Sequence, residues 1–140
     1  MAKLEERWNG LDYPFLIHAE GELKFSDIAS QNAVDLSEVV SGDVVALIGD
    51  FDLKSILTLL QLIDKNAIIA PLTRDTRAQH EYFFETALIN VVIEGDAVKR
   101  INHSRQNNFI EDLRRTSHAG LVLFSTGTTG RPKAILHDLT

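Results

Sequence analysis

The chain has 140 residues, with 14 Lys and Arg against 20 Asp and Glu and a formal net charge of -6. Apolar residues make up 44% and charged residues 24%, the balance of a folded globular domain and not of a disordered chain. The acidic excess argues against a nucleic-acid surface, and the absence of Cys removes disulfides, thiolate metal sites and cysteine nucleophiles together.

The N-terminus is charged and has no apolar run leading to a small-residue cleavage site, so no signal peptide is expected and an intracellular, cytoplasmic home fits. Trp8 and Tyr13 are expected to cover apolar surface. Residues 15–18 and 23–25 read as a small hairpin around Gly21, with Ser26 or Asp27 capping a short helix through Ile28 and Ala33.

From Ser41 the pattern sharpens. Ser41-Gly42-Asp43 reads as a turn, and Val44-Val45-Ala46-Leu47-Ile48 is a continuous apolar run, as expected of a strand covered on both faces. Asp50 or Asp52 can cap the next helix, on which Ile56, Leu57, Leu59, Leu60 and Ile63 recur at helical spacing. Asn66 suits a left-handed stop. The region 56–72 is too interrupted by Asp64, Lys65 and Asn66 to span a membrane.

Ala67-Ile68-Ile69-Ala70 predicts a second strand closed by Pro71. Asp75 opens a helical segment that turns Tyr82, Phe83, Leu88 and Ile89 to the core, and Val91-Val92-Ile93 predicts a third strand. Alternating strands and helices indicate an α/β class, with a mostly parallel sheet and helices on both faces. No linker or repeat divides the chain. Residues 96–118 are polar and read as a solvated connection with a short helix over 108–115, to which no function is assigned.

After the apolar run Gly120-Leu121-Val122-Leu123-Phe124 comes Ser125-Thr126-Gly127-Thr128-Thr129-Gly130-Arg131-Pro132-Lys133, which packs four hydroxyls, two glycines and a lysine into nine positions. Glycines let backbone approach an anion, hydroxyls and amides donate to its oxygens, and an ammonium adds charge. The segment lacks the Gly-Lys-Ser/Thr step of a Walker A loop, because Lys133 follows Pro132. This disfavours a P-loop nucleoside triphosphatase. A strand–loop–strand arrangement is preferred, and a ligand-free surface turn is the bland alternative.

The order of these nine residues closely resembles the phosphate-binding motif of the adenylate-forming superfamily, which includes acyl- and aryl-CoA synthetases, peptide-synthetase adenylation domains and luciferases. The resemblance extends upstream through residues 42–47, 56–65, 67–72 and 82–94, and is weakest before Ser41. Ala134 stands where the family usually has Gly, Ser125-Thr126 replaces the common Thr-Ser order, and Asp64-Lys65-Asn66 stands for Lys-Ala-Gly, which together suggest a divergent branch.

The resemblance implies an AMP-forming ligase. A carboxylate oxygen attacks the α-phosphate of ATP, an acyl-adenylate forms and pyrophosphate leaves; the acyl group then passes to the thiol of CoA or of a carrier phosphopantetheine. Ser125, Thr126, Gly127, Thr128, Thr129, Gly130 and Lys133 would then grip the departing phosphates, with Lys133 either touching phosphate or tying the loop to a carboxylate. Residues 1–140 would be the N-terminal portion of the large AMP-binding domain. The rest of that domain, the C-terminal domain, the catalytic lysine and the acidic residue near Mg2+ would lie past Thr140, so no catalytic or metal residue is assigned and the piece alone is expected to be inactive.

The five histidines show no metal-ligand spacing and read as surface or packing residues. His137 is the one that could approach a bound acyl group or nucleotide, and Asp138 reads equally as a cap or a ligand. The alternative to the enzyme fragment is a stand-alone, non-catalytic α/β binding or interaction module. Apolar surface left uncovered by a shortened domain favours a homo-oligomer.

Overall fold

A computed structural model of the chain describes residues 2–8, 10–29, 31, 34–126 and 130–140. In chain order the elements are α1 (Ala2–Trp8), β1 (Leu16–His18), β2 (Gly21–Leu23), α2 (Phe25–Ala29), β3 (Val44–Ile48), α3 (Leu53–Asp64), β4 (Ile68–Leu72), a tightly wound stretch (Arg74–Gln79), α4 (His80–Ala87), β5 (Val91–Glu94), β6 (Ala97–Arg100), α5 (Asn108–Thr116), β7 (Gly120–Phe124) and β8 (Ala134–Asp138).

Among the described residues the main sheet has six strands in the order β6-β5-β3-β4-β7-β8. β3, β4, β5 and β7 run parallel, while β6 and β8 return antiparallel along the two edges. The α/β reading with a mostly parallel sheet is therefore correct. Every residue of β3 is buried, because helices cover both faces. Val44, Ala46 and Ile48 pack with Ile68, Ala70 and Leu72 against α4 and α5, through Phe83, Ala87, Ile110 and Leu113. Val45, Leu47 and Ile69 face α3, meeting Leu59, Leu62 and Ile63.

The N-terminal elements form a third cluster on α3, where Leu4, Phe25 and Ile28 bury against Leu57 and Leu60. The rings of Trp8, Phe15 and Phe25 meet pairwise at 5.2–5.4 Å between centroids. Trp8 thus covers apolar surface as expected, whereas Tyr13 is 58% exposed and does not. The hairpin is present, but its turn is Ala19-Glu20, and Gly21 pairs with His18 inside the ladder.

Two further expectations need correction. Neither Ser26 nor Asp27 caps α2. Asp27 lies in its first turn and accepts a 2.9 Å hydrogen bond from the Lys24 N–H, the return half of a capping box. Ala33 lies outside the described residues. The polar 96–118 segment contains the edge strand β6, which its Lys and Arg content concealed.

α3 begins and ends as its sequence implies. Asp52, and not Asp50, is the N-cap, its carboxylate accepting from the Ser55 N–H at 2.9 Å. Asn66 takes φ +57° after the helix. The Asn66 N–H then reaches the Ile63 carbonyl and the Ala67 N–H the Leu62 carbonyl, which closes a Schellman stop.

Pro71 does not end β4 but lies within it, paired with Leu47. Ile68 donates to Asp43 and Leu72 accepts from Gly49, so the even-numbered peptides of β4 face β3. By alternation Pro71 faces the β7 side, and there the register covers only Ile68–Gly120 and Ile69–Leu121. Without an N–H, Pro71 cannot donate to β7, and the register stops there, while Val122 and Phe124 of β7 still pack in one cluster with Ala70 and Leu72 of β4.

The opposite edge of the sheet is tied by Asp43, which is 4% exposed. It accepts from the Val40 N–H, from Asn90 Nδ2 and from both terminal nitrogens of Arg100. Asn90 in turn accepts from the Val44 N–H at 2.6 Å. This network joins the entry to β3, the entry to β5 and the end of β6.

Candidate functional site

Because β3, β4, β5 and β7 are parallel, their C-terminal ends share one edge of the sheet. The connection from β3 goes to its neighbour β4, while the one from β4 crosses back over β3 to β5. Such a reversal opens a crevice at the strand ends, which is where α/β sheets bind ligands.

At the ends of β3, β4 and β5 this edge is lined by paired charges. Arg74 Nη1 meets Asp50 Oδ2 at 2.6 Å, and Arg77 Nη2 meets Glu94 Oε1 at 2.5 Å. The Arg77 hydrogen bond holds the Glu94 carboxyl below its ordinary value. Both arginines are therefore committed to carboxylates and are poor candidates for gripping an anion.

The segment after β7 differs. β7 and β8 pair from Gly120–Asp138 to Phe124–Ala134, so the hydroxyl- and glycine-rich segment is the loop of a hairpin, in agreement with the strand–loop–strand reading. Its mouth closes by two bonds. The Ser125 N–H donates to the Lys133 carbonyl at 2.9 Å, and the Lys133 N–H donates to Ser125 Oγ at 3.1 Å. The Ser125 hydroxyl keeps its own proton for another acceptor. Gly130 has φ +99°, a conformation that side chains resist.

Of the expected site residues, Ser125, Thr126, Gly130 and Lys133 lie in this hairpin loop, while Gly127, Thr128 and Thr129 lie outside the described residues. Thr126 and Lys133 are exposed, and among the described residues no carboxylate forms an ion pair with the Lys133 ammonium.

Helix α4 supplies contacts that periodicity alone does not reveal. Phe83 stacks on Phe124 at 4.1 Å, just before the loop. The Tyr82 hydroxyl donates to the Pro132 carbonyl at 2.8 Å, and the Arg131 guanidinium lies 5.2 Å over the Tyr82 ring. The available signal was Tyr82 itself, since a half-buried phenol seeks an acceptor.

The histidines do not converge. His80 is buried and bonds the Thr73 carbonyl and Thr76 Oγ1. His118 Nδ1 pairs with Asp138 Oδ2 at 2.9 Å, and this bond is the main reason the Asp138 carboxyl sits below its ordinary value. Asp138 also accepts from the Thr140 N–H and hydroxyl, so it fastens the end of β8 and caps no helix. His137 is exposed, four strand positions from the loop's last residue and opposite Leu121. Among the described residues no group of three or more acidic or histidine side chains is gathered for a metal ion, and no helix is long and apolar enough to cross a membrane.

No protein-family model matches the sequence, and no curated protein matches it. Solved structures do match. The N-terminal subdomain of NpsA from Klebsiella oxytoca superposes with a TM-score of 0.64 at 16% identity, covering 96% of this chain and 38% of that one. The same subdomain in complex with anthranilyl-AMSN gives 0.63 at 17% identity, covering 96% and 39%. Apo MatB from Rhodopseudomonas palustris gives 0.55 at 15% identity, covering 96% and 34%. The chain thus spans little more than a third of the structures it matches, and over almost its whole length it has their fold.

Proposed function

We propose that this chain is the N-terminal, phosphate-gripping portion of an AMP-forming carboxylate-activating ligase of the adenylate-forming superfamily. The observation that carries the reading is the placement of the loop 125–133. It closes a hairpin at the C-terminal edge of a sheet whose fold matches a subdomain solved with an anthranilyl-AMSN ligand.

In this reading Ser125, Thr126, Thr128 and Thr129 donate hydroxyl hydrogen bonds to the β- and γ-phosphates of ATP. Gly127 and Gly130 admit the phosphates to the backbone, and Lys133 supplies a compensating charge. The residues described in the loop fit such an anion. Among the described residues the Lys133 ammonium has no ion pair, and the Ser125 hydroxyl accepts one bond and has a proton to give. Magnesium would arrive with the nucleotide and neutralise phosphate charge. The described residues offer it no carboxylate cluster, so the chain's own contribution is the anion grip.

The substrate is a carboxylic acid, followed by transfer to the thiol of CoA or of a carrier phosphopantetheine. A cytoplasmic home belongs to the same proposal, since the co-substrate is ATP and the chain has no Cys. So does self-association through the exposed side of the β7–β8 hairpin.

The test is a titration of the isotope-labelled chain with magnesium pyrophosphate, followed residue by residue. Responses confined to 125–133, and weakened about tenfold or more by Lys133→Ala, are expected. Purified chain is expected to show no ATP–pyrophosphate exchange. A titration that leaves the loop signals unmoved, or moves them equally in Lys133→Ala, sinks the reading.

A further inference from the structure

The loop is rich in glycine and joins the outermost pair of strands of the described sheet. α4 holds it on both sides. Phe83, 4% exposed, stacks on Phe124 before the loop, and the neighbouring Tyr82 donates to the Pro132 carbonyl at its exit. Arg131 lies over the same phenol ring, so two consecutive loop residues are gathered on one side chain. The carbonyl that Tyr82 holds is one residue before Lys133, whose own N–H and carbonyl close the loop on Ser125.

We propose that Tyr82 is a positioning residue for this loop. Its hydroxyl fixes the direction of the chain at Pro132, which sets the approach of Lys133 to a pyrophosphate-like anion. A loop fixed at its exit loses less freedom when the anion binds. This inference rests on the phosphate reading of the loop.

The test compares the native chain with Tyr82→Phe, which keeps the ring and its contact with Arg131, and Tyr82→Leu, which removes both. Two readouts are taken: amide hydrogen exchange at residues 125–133, and affinity for magnesium pyrophosphate. Expected for Tyr82→Phe are faster exchange confined to the loop, an affinity about 3- to 10-fold weaker, and a thermal midpoint lower by no more than about 3 °C. Tyr82→Leu should be weaker again.

Exchange and affinity both unchanged in Tyr82→Phe would overturn the role of Tyr82 and leave the phosphate reading standing. A loss of affinity matched by exchange that quickens throughout the sheet would also overturn it, in favour of a general packing role. A native chain that ignores pyrophosphate would remove the phosphate reading, and the preparatory role with it, whatever the exchange shows.

Discussion

Arg100 grips both carboxylate oxygens of Asp43 across 57 positions of sequence, with Nη1 at 3.2 Å from Oδ1 and Nη2 at 2.8 Å from Oδ2. Asp43 is buried and Arg100 is 42% exposed on its side chain, so the pair is sheltered from one side only. Arg100→Ala leaves a buried carboxylate with fewer donors. It is expected to cost about 2–3 kcal/mol in denaturant unfolding, more than a surface ion pair and less than a fully buried one. Asp43→Ala should cost at least as much, because the Val40 N–H, Asn90 and Arg100 all lose their acceptor. Near-native stability for both variants would refute a structural role for this network.

The start of α3 gives a pH prediction. The Ser55 N–H is the largest cause that holds the Asp52 carboxyl below its ordinary value. A carboxylate depressed in the folded state adds stability above its unfolded value, and that stability is lost as the pH falls through the folded one. Acidification from neutral into and below the ordinary carboxylate range should therefore weaken the fold. Asp52→Ala, expected to cost about 1 kcal/mol at neutral pH, should show a flatter acid limb. Asp50→Ala, which removes only an exposed partner of Arg74, should cost far less. Urea unfolding of the three proteins between pH 7 and pH 3 checks all of this.

Much of the scaffold was readable from local chemistry. An unbroken apolar run at 44–48, an Asp before a helical stripe and an Asn after it each force one local outcome, and each occurs. What escaped was fixed by distant partners. β6 is a strand because β5 offers it an edge, and its Ala97-Val98-Lys99-Arg100 sequence carries almost no apolar alternation. Pro71 sits inside the sheet and ends the β4–β7 hydrogen bonding there, while side-chain packing with Val122 and Phe124 continues, which no window of sequence records. In the loop, residue types suggest an anion-binding chemistry, but the contacts from Tyr82 and Phe83 come from a helix about 40 to 50 positions upstream.

Gly49 carries a steric prediction. A Cβ added there would stand 2.1 Å from Ser55 Oγ, inside the capped first turn of α3. Gly49→Ala is expected to push Ser55 out of place and to cost about 1–3 kcal/mol. Gly10→Ala, where an added Cβ meets nothing within 4 Å, serves as the control and should change stability little. Equal melting of the two variants would contradict the crowding at Gly49.

Association is the fourth expectation. Leu123 and Ile135, 42% and 47% exposed, lie side by side on one face of the β7–β8 hairpin, and β8 is the last strand of the described sheet. Edge strands with apolar neighbours invite pairing, and lysine is the usual deterrent. Light scattering should show a mass that rises with concentration, and Ile135→Lys should return it to the monomer. A native chain that stays monomeric throughout the range would rule this out.

The short β4–β7 register changes what fastens the hairpin to the sheet. β7 grips β8 over five paired positions and is registered to β4 over two, since Pro71 has no N–H to continue the ladder. At the base of β7, Gly120 packs so closely that a Cβ would meet Leu113 at 2.7 Å, and the His118–Asp138 pair sits alongside. The β7–β8 ribbon is therefore bonded to the sheet at its base and held beyond Pro71 by apolar packing.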